Sequence, residues 1–303
     1  MLSALPVAAL SIDPISDVKQ LTAYPFMVNA LEAGTIVAIM AGVAGWFMVL
    51  RRETFAGHTL SLMSFPGASG ALLIGLPAAT GYFVFAGAAA LVIGLASAGA
   101  GRHRGEESAV TGTVQAFGLA CGFLFLSLYQ GVLADSENLL FGSFLGITRG
   151  QVLTLAIAAA LTLAFFALAG RPLLFASVDE PVARSSGVPV RRVSAAFLLV
   201  LGLAVAATAQ ITGVLLVFAL LVAPAATAQL ITPRIGVSLA LTVILGIAIT
   251  WVGLALAYFY NYPVGFYITT VAFTAYVLAR AARALIDHPA LLRRRPRVAE
   301  AHA

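Results

Sequence analysis

Two ionisable side chains stand inside long apolar runs, Glu32 and His58. A charge is costly in hydrocarbon, so an acid or an imidazole at such a place is a functional candidate by default. Carboxylate oxygen and imidazole nitrogen are both ligands for a divalent transition metal. Glu32 lies near the outer end of the first apolar run, and His58 near the start of the second, just after Arg51, Arg52 and Glu53. Plainer readings stand beside these: Glu32 at headgroup level, and His58 hydrogen-bonded at the membrane interface. His103, His288 and His302 fall in loops or in the C-terminal tail. Cys121 is the single cysteine, so neither a disulfide nor a thiolate cluster can form within one chain. No Gly-rich phosphate loop, His-rich tract or nucleophile-base pattern occurs, so ATP hydrolysis is not expected of this chain by itself. A transporter working alone usually carries buried acids or broken helices for its coupling ion, and Glu32 and His58 are a thin supply.

A second candidate is a polar island from Arg171 to Arg192, RPLLFASVDEPVARSSGVPVRR. Apart from the two ends, it is the one stretch of about twenty residues that could not sit in a bilayer core. Residues 177–186 predict a short helix with Asp179 and Glu180 in its first turn, where the helix dipole favours acids. Such an element is either a spacer or a dock for a soluble partner. In the docking reading Asp179, Glu180 and Arg184 make rim contacts. Ala183 stays small so that the helix can enter a groove, and Gly187 ends the helix at positive φ.

The elements that position these residues are membrane helices. Of 303 residues, 61% are hydrophobic and 10% charged, against about 25% charged in soluble domains. The length alone suggests two domains, but a helical membrane bundle is one unit. Apolar segments fall at about 24–50, 57–76, 78–101, 109–131, 148–170, 193–211, 213–231, 235–260 and 263–286. Each approaches the roughly 20 residues that a spanning helix needs. The links at Pro77, Gly213 and Pro263 are short enough for tight hairpins or broken helices. An eight-span alternative makes one of these linked pairs a re-entrant hairpin.

With nine spans and the N-terminus outside, fifteen of the seventeen basic residues face the cytoplasm, and only Lys19 and Arg149 lie outside. The positive-inside rule prefers that solution. It sets residues 1–23 outside the membrane, 171–192 in the cytoplasm as a coupling loop within a 24–286 membrane domain, and 287–303 as a basic cytoplasmic tail. The first ten residues are apolar, lack a basic start and precede Asp13 and Asp17, so no cleaved signal peptide is expected. The net charge of +5 does not indicate nucleic acid, because the basic residues sit in short loops and the tail. Gly67, Ala71 and Gly75 form one small-residue stripe and Gly42 with Gly45 another, as helix packing in lipid requires. Pro66 and Pro224 lie inside spans and predict kinks.

Several stretches, covering about residues 25 to 285, together resemble the permease subunits of ATP-binding-cassette importers for zinc, manganese and iron. Arg51-Arg52 followed by Phe55, Gly57, Leu60, Ser61, Pro66 and Gly67 is similar to the family's arginine-pair and Gly-Asp-x-Leu-Ser-His…Pro-Gly stretch. Leu140-Phe141-Gly142-Ser143 resembles the Leu-Phe-Gly-Ser segment before the fifth span. Ala183 with Gly187-Val188-Pro189-Val190 resembles the segment that meets the ATPase. The most specific likeness runs from Gly213 to Val217 and from Ala219 through Pro224 to Ala228, and Pro263-x-Gly265 resembles the outer turn before the last span.

The chain departs from the family at one place. The family's Asp and His lie four residues apart, on one helical face. Here those positions are His58 and Leu62, so one ligand remains, of the other type.

The resemblance implies an all-α polytopic permease of the bacterial-type cytoplasmic (inner) membrane, moving zinc, manganese or iron by alternating access. It implies a second permease copy or paralogue, two cytoplasmic ATPase subunits that hold the ATP, and an extracytoplasmic metal-binding protein. The metal is substrate, and no covalently bound cofactor is expected. Two rivals are a stand-alone secondary cation transporter and a membrane scaffold that transports nothing.

Overall fold

The computed structural model describes residues 19–99, 104–129, 139, 140, 142, 146–260 and 262–292. Most of the N-terminal segment, Asp135 and Glu137 of the outer loop, Phe141, Ser143 and the arginine tail from residue 293 lie outside them. Among the described residues there is no strand.

Nine long helices and one short helix follow in order: α1 (Pro25–Leu50), α2 (Thr54–Leu73), α3 (Ala78–Gly99), α4 (Arg104–Leu128), α5 (Arg149–Val178), α6 (Glu180–Ser185), α7 (Val190–Thr212), α8 (Val214–Ile231), α9 (Ile235–Phe259) and α10 (Val264–Leu292). Eight of them, all but α2 and α6, are long and apolar enough to cross a membrane. α2 is less apolar because it carries His58, Thr59, Ser61, Ser64, Pro66 and Ser69. Protein surrounds it: α3, α4, α7 and α8 all pack on it, and Thr59, Ser61, Ser64 and Ser69 are buried. The serines satisfy their hydroxyls locally, with Ser61 donating to Gly57 O (3.0 Å) and Ser69 to Phe65 O (3.0 Å). That is how a polar helix becomes tolerable inside a bilayer bundle.

The core is built on α1, α2, α7 and α8, with α3, α4, α5, α9 and α10 outside. Two thirds of the spanning window is buried in α1 and α7, against 11% in α10. Backbones approach through glycine, as lipid-embedded packing demands. An added Cβ on Gly67 of α2 would strike Gly81 O of α3, and one on Gly45 of α1 would strike Leu221 O of α8. The expected stripe therefore holds for Gly67 and Ala71, which both face Gly81. Gly75 is no part of it. It lies past the C-cap Ile74 at φ +76°, with nothing within 4 Å of an added Cβ, because α2 has already ended. Pro66 and Pro224 do lie inside α2 and α8.

Polar ties cross the core at depth. Trp46 Nε1 of α1 donates to Ser238 Oγ of α9 (3.0 Å), and Gln229 Nε2 of α8 donates to Trp46 O (2.9 Å). Gly213 alone links α7 to α8, at φ +74° and ψ 159°, a backbone conformation that only glycine adopts readily. Gly142, from the Leu-Phe-Gly-Ser stretch, lies directly on that turn: a Cβ there would collide with Thr212 C and with Gly213 N.

The largest difference from expectation is in α5. The apolar run ends at Gly170, yet the helix continues through Arg171 and Pro172 to Val178. Its start is fixed by a capping box, in which Thr148 Oγ1 accepts from Gln151 N (3.3 Å) and Gln151 Oε1 accepts from Thr148 N (2.9 Å). At 1.5 Å per residue the eight residues 171–178 carry the helix about 12 Å past its apolar part. The first third of the polar island is thus a rigid stalk, and the separate short helix is α6, narrower than the expected 177–186.

Candidate functional site

The polar ends of α1, α2, α5 and α7 and the short α6 meet on one side of the bundle. Asp179 is at once the C-cap of α5 and the N-cap of α6. Its carboxylate accepts from Val182 N (3.0 Å), so a six-residue helix starts in a fixed direction. Glu180 and Arg184 form an exposed ion pair one turn apart on α6. Gly187 takes φ +85° beyond the C-cap Ser186, and Val188 N donates back to Ala183 O (3.0 Å). This αL closure lets the chain turn straight into α7.

Ala183 is fully buried, but not for the reason expected from the sequence. It packs inside the chain, against Ala176 at the end of α5 and Val190 at the start of α7, with Val188 beside it. Its size is fixed by this small satellite core and not by a partner's groove. The surface left for a partner is made of Asp179, Glu180, Arg184, Gly187 and Pro189, all exposed, beside the exposed apolar side chains of Val178 and Val182.

Three residues join α1 to α2. Arg51 is the C-cap of α1, Arg52 takes the left-handed φ of 60°, and Glu53 is the N-cap of α2. The Arg51 guanidinium pairs with Glu53 Oε1 (2.8 Å) and donates to Ser177 Oγ of α5 (3.2 Å) and Ser194 Oγ of α7 (2.8 Å). Its Cζ lies 5.1 Å from the ring centroid of Phe197. The Arg51–Arg52 pair was legible as charge and as motif, whereas its partners Ser177 and Ser194 carry no distinctive sequence signal.

His58 sits one turn into α2, half-buried, with its ring 4.7 Å from that of Phe218 on α8. Its Nδ1 is buried and makes no hydrogen bond. Leu62, one turn further along, is partly buried against the hydrophobic core. Phe218 also lines an apolar groove of about 400 Å³ between α8 and α10, with Val222, Thr269, Phe273 and Tyr276. None of those side chains supplies an acid, thiol or imidazole. Glu32 is exposed on α1, with about 27 Å of helix between it and Leu50. It and His58 thus belong to opposite ends of their helices and do not form one ligand set. Among the described residues no three of His, Cys, Asp and Glu come together as a metal would need.

Similarity to known proteins agrees with the placement of these motifs. The ABC 3 transport family matches residues 23–283. The chain is 32% identical over 261 residues to the manganese transport system membrane protein MntC of Halalkalibacterium halodurans, covering 86% of this chain and 88% of that one. It is 30% identical over 250 residues to the chelated iron transport system membrane protein YfeC of Yersinia pestis, covering 82% and 83%. Among solved structures, PsaBC from Streptococcus pneumoniae in complex with Fab superposes with a TM-score of 0.77 at 26% identity, over 88% of this chain and 94% of that one.

Proposed function

The chain belongs to the ABC 3 transport family, and from that premise we propose that it is the permease of an importer for manganese, zinc or ferrous iron in a bacterial-type inner membrane. The family match over residues 23–283 carries the reading. Hydrolysis of ATP belongs to separate cytoplasmic subunits that dock on α6, and an extracytoplasmic protein delivers the metal. Two permease copies, or this chain and a paralogue, enclose the pathway. Co-expression of the chain with an ATPase subunit should give a complex that accumulates radiolabelled manganese or zinc only with ATP. Uptake that persists when the ATPase is inactivated would favour the stand-alone transporter, and no uptake of either metal would favour the scaffold.

The orientation follows from the fifteen-to-two split of basic residues, with the N-terminus outside and nine spans once α2 is counted. An impermeant thiol reagent applied to intact cells should label Leu140→Cys and leave Ser186→Cys unlabelled. Reversed labelling would overturn it.

His58 is the proposed metal contact of this chain. Each copy supplies one imidazole, so two facing copies supply two, and water completes the shell. An incomplete shell suits an ion that has to leave. His58→Ala should lower uptake at limiting metal by about tenfold, the effect of losing about 1.4 kcal/mol of binding. Leu62→His restores a second ligand on the same helical face and should tighten the metal dependence. Unchanged uptake by His58→Ala across all metal concentrations would leave His58 a structural residue packed on Phe218.

A further inference from the structure

Arg51 reaches both chain segments that hold the docking helix. α6 is tied to the bundle by the end of α5 in front and the start of α7 behind. Ser177 lies two residues before Asp179, and Ser194 lies in the first turns of α7. Both hydroxyls accept from one guanidinium, through Nη1 at 3.2 Å and Nη2 at 2.8 Å. Ser177 can accept because its own proton goes to Leu173 O. The same guanidinium holds Glu53 through Nε (2.9 Å) and Nη2 (2.8 Å). Arg51 caps α1, Glu53 caps α2, and His58 follows five residues later on α2. The Arg51 side chain is only 9% exposed and lies over the buried Phe197 ring. A planar fork held on several edges resists rotation, which a flexible ammonium does not.

We propose that Arg51 is the positioning residue that transmits movement of α6 to the α1–α2 joint and so to the helix carrying His58. The proposal rests on the reading of α6 as the ATPase dock. Any displacement of α6 that changes the separation of its two flanks moves Ser177 relative to Ser194. Their shared guanidinium has to follow or break a bond. Because its backbone ends α1 and its ion-pair partner starts α2, the motion arrives at the entrance of both helices. A second arrangement of this one node would give α1 and α2 a second position, as a two-state coupling element requires.

Removing the side chain would strand Glu53 in a partly buried setting, so truncation is a poor test. Arg51→Lys keeps the charge and loses the fork. The double variant Ser177→Ala, Ser194→Ala removes both acceptors and leaves Arg51 untouched. Each is assembled with the ATPase subunits in proteoliposomes, and metal uptake and ATP hydrolysis are measured together. For both, we expect wild-type thermal stability and ATPase binding, hydrolysis within about twofold of wild type, and about tenfold less metal moved per ATP, within the usual range for a lost coupling. An unchanged ratio of metal to ATP in the double variant overturns the proposal. So does a parallel fall of uptake, hydrolysis and thermal stability, which marks Arg51 as a structural tie only. If the wild-type permease itself binds no ATPase subunit, the docking reading fails instead.

Discussion

Ala183→Trp should leave a chain that inserts and folds through its spanning helices but no longer couples ATP hydrolysis to metal uptake. The methyl group is fully buried between Ala176 and Val190, and an indole has no room there. Overpacking of this kind costs about 1–3 kcal/mol and more where backbone has to move. α6 has only six residues and cannot stay helical once it lifts off its seat. The damage remains local, because α6 packs only on the adjoining ends of α5 and α7. Uptake should fall by about tenfold or more, since each 1.4 kcal/mol of lost docking is a factor of ten. Glu180→Ala is the contrast. Its ion pair with Arg184 is exposed and contributes about 0.3–0.5 kcal/mol to the helix, so seat and coupling should both survive. ATP-dependent uptake by the two variants in one membrane preparation decides it, and normal coupling in Ala183→Trp would refute the account.

Gly67→Val should do the reverse and abolish the folded bundle. A Cβ at this position meets the carbonyl oxygen and carbon of Gly81, which are backbone and cannot rotate away. α2 and α3 would have to separate along a closely packed seam, and the same face of α2 would shift against Phe85. The expected cost exceeds about 4 kcal/mol, the range reserved for core overpacking. Monodisperse protein on size-exclusion chromatography after detergent extraction should nearly vanish. Gly87→Ala is the control, because nothing lies within 4 Å of an added Cβ there. That variant should be equal to or slightly more stable than wild type, by up to about 1 kcal/mol. Gly67→Val running as a sharp wild-type peak would mean that the α2–α3 seam has slack.

Hydropathy and basic residues were enough to read the helices, because lipid imposes a single rule on whatever faces it. The segments 24–50, 213–231 and 235–260 agree with α1, α8 and α9 to within a residue at either end. α5 was read short because hydropathy stops at Gly170, whereas a helix stops only where its backbone is capped, here at Asp179. Ala183 was recognised as necessarily small, but a sequence does not say on which side of a helix the crowding lies. Gly67 was legible as a contact, while its partner Gly81 was not, since either side of the α2–α3 turn offers several small residues. The Arg51 node was illegible for a related reason. Ser177 and Ser194 are 126 and 143 residues away from it, and serines are common in polar loops. Nothing in composition distinguishes a serine that ends a buried guanidinium's fork from one that meets water.

α2 owes its place to neighbours that do not yet exist when it is made. In the finished bundle α3, α4, α7 and α8 shield His58, Thr59 and the serines from lipid, but every one of those helices lies later in the chain. At the moment α2 leaves the ribosome, its alternatives are the aqueous side or bare hydrocarbon, and its composition argues against hydrocarbon. The α2–α3 turn of only four residues, Ile74 to Pro77, resolves the difficulty. α3 is strongly apolar, and the Gly67–Gly81 contact lets the two helices close on each other with no third element. They therefore partition into the bilayer as one hairpin, α3 supplying the hydrophobic pull. A nascent chain cut after Leu73 should leave α2 outside the membrane, and one cut after Gly99 should leave it buried.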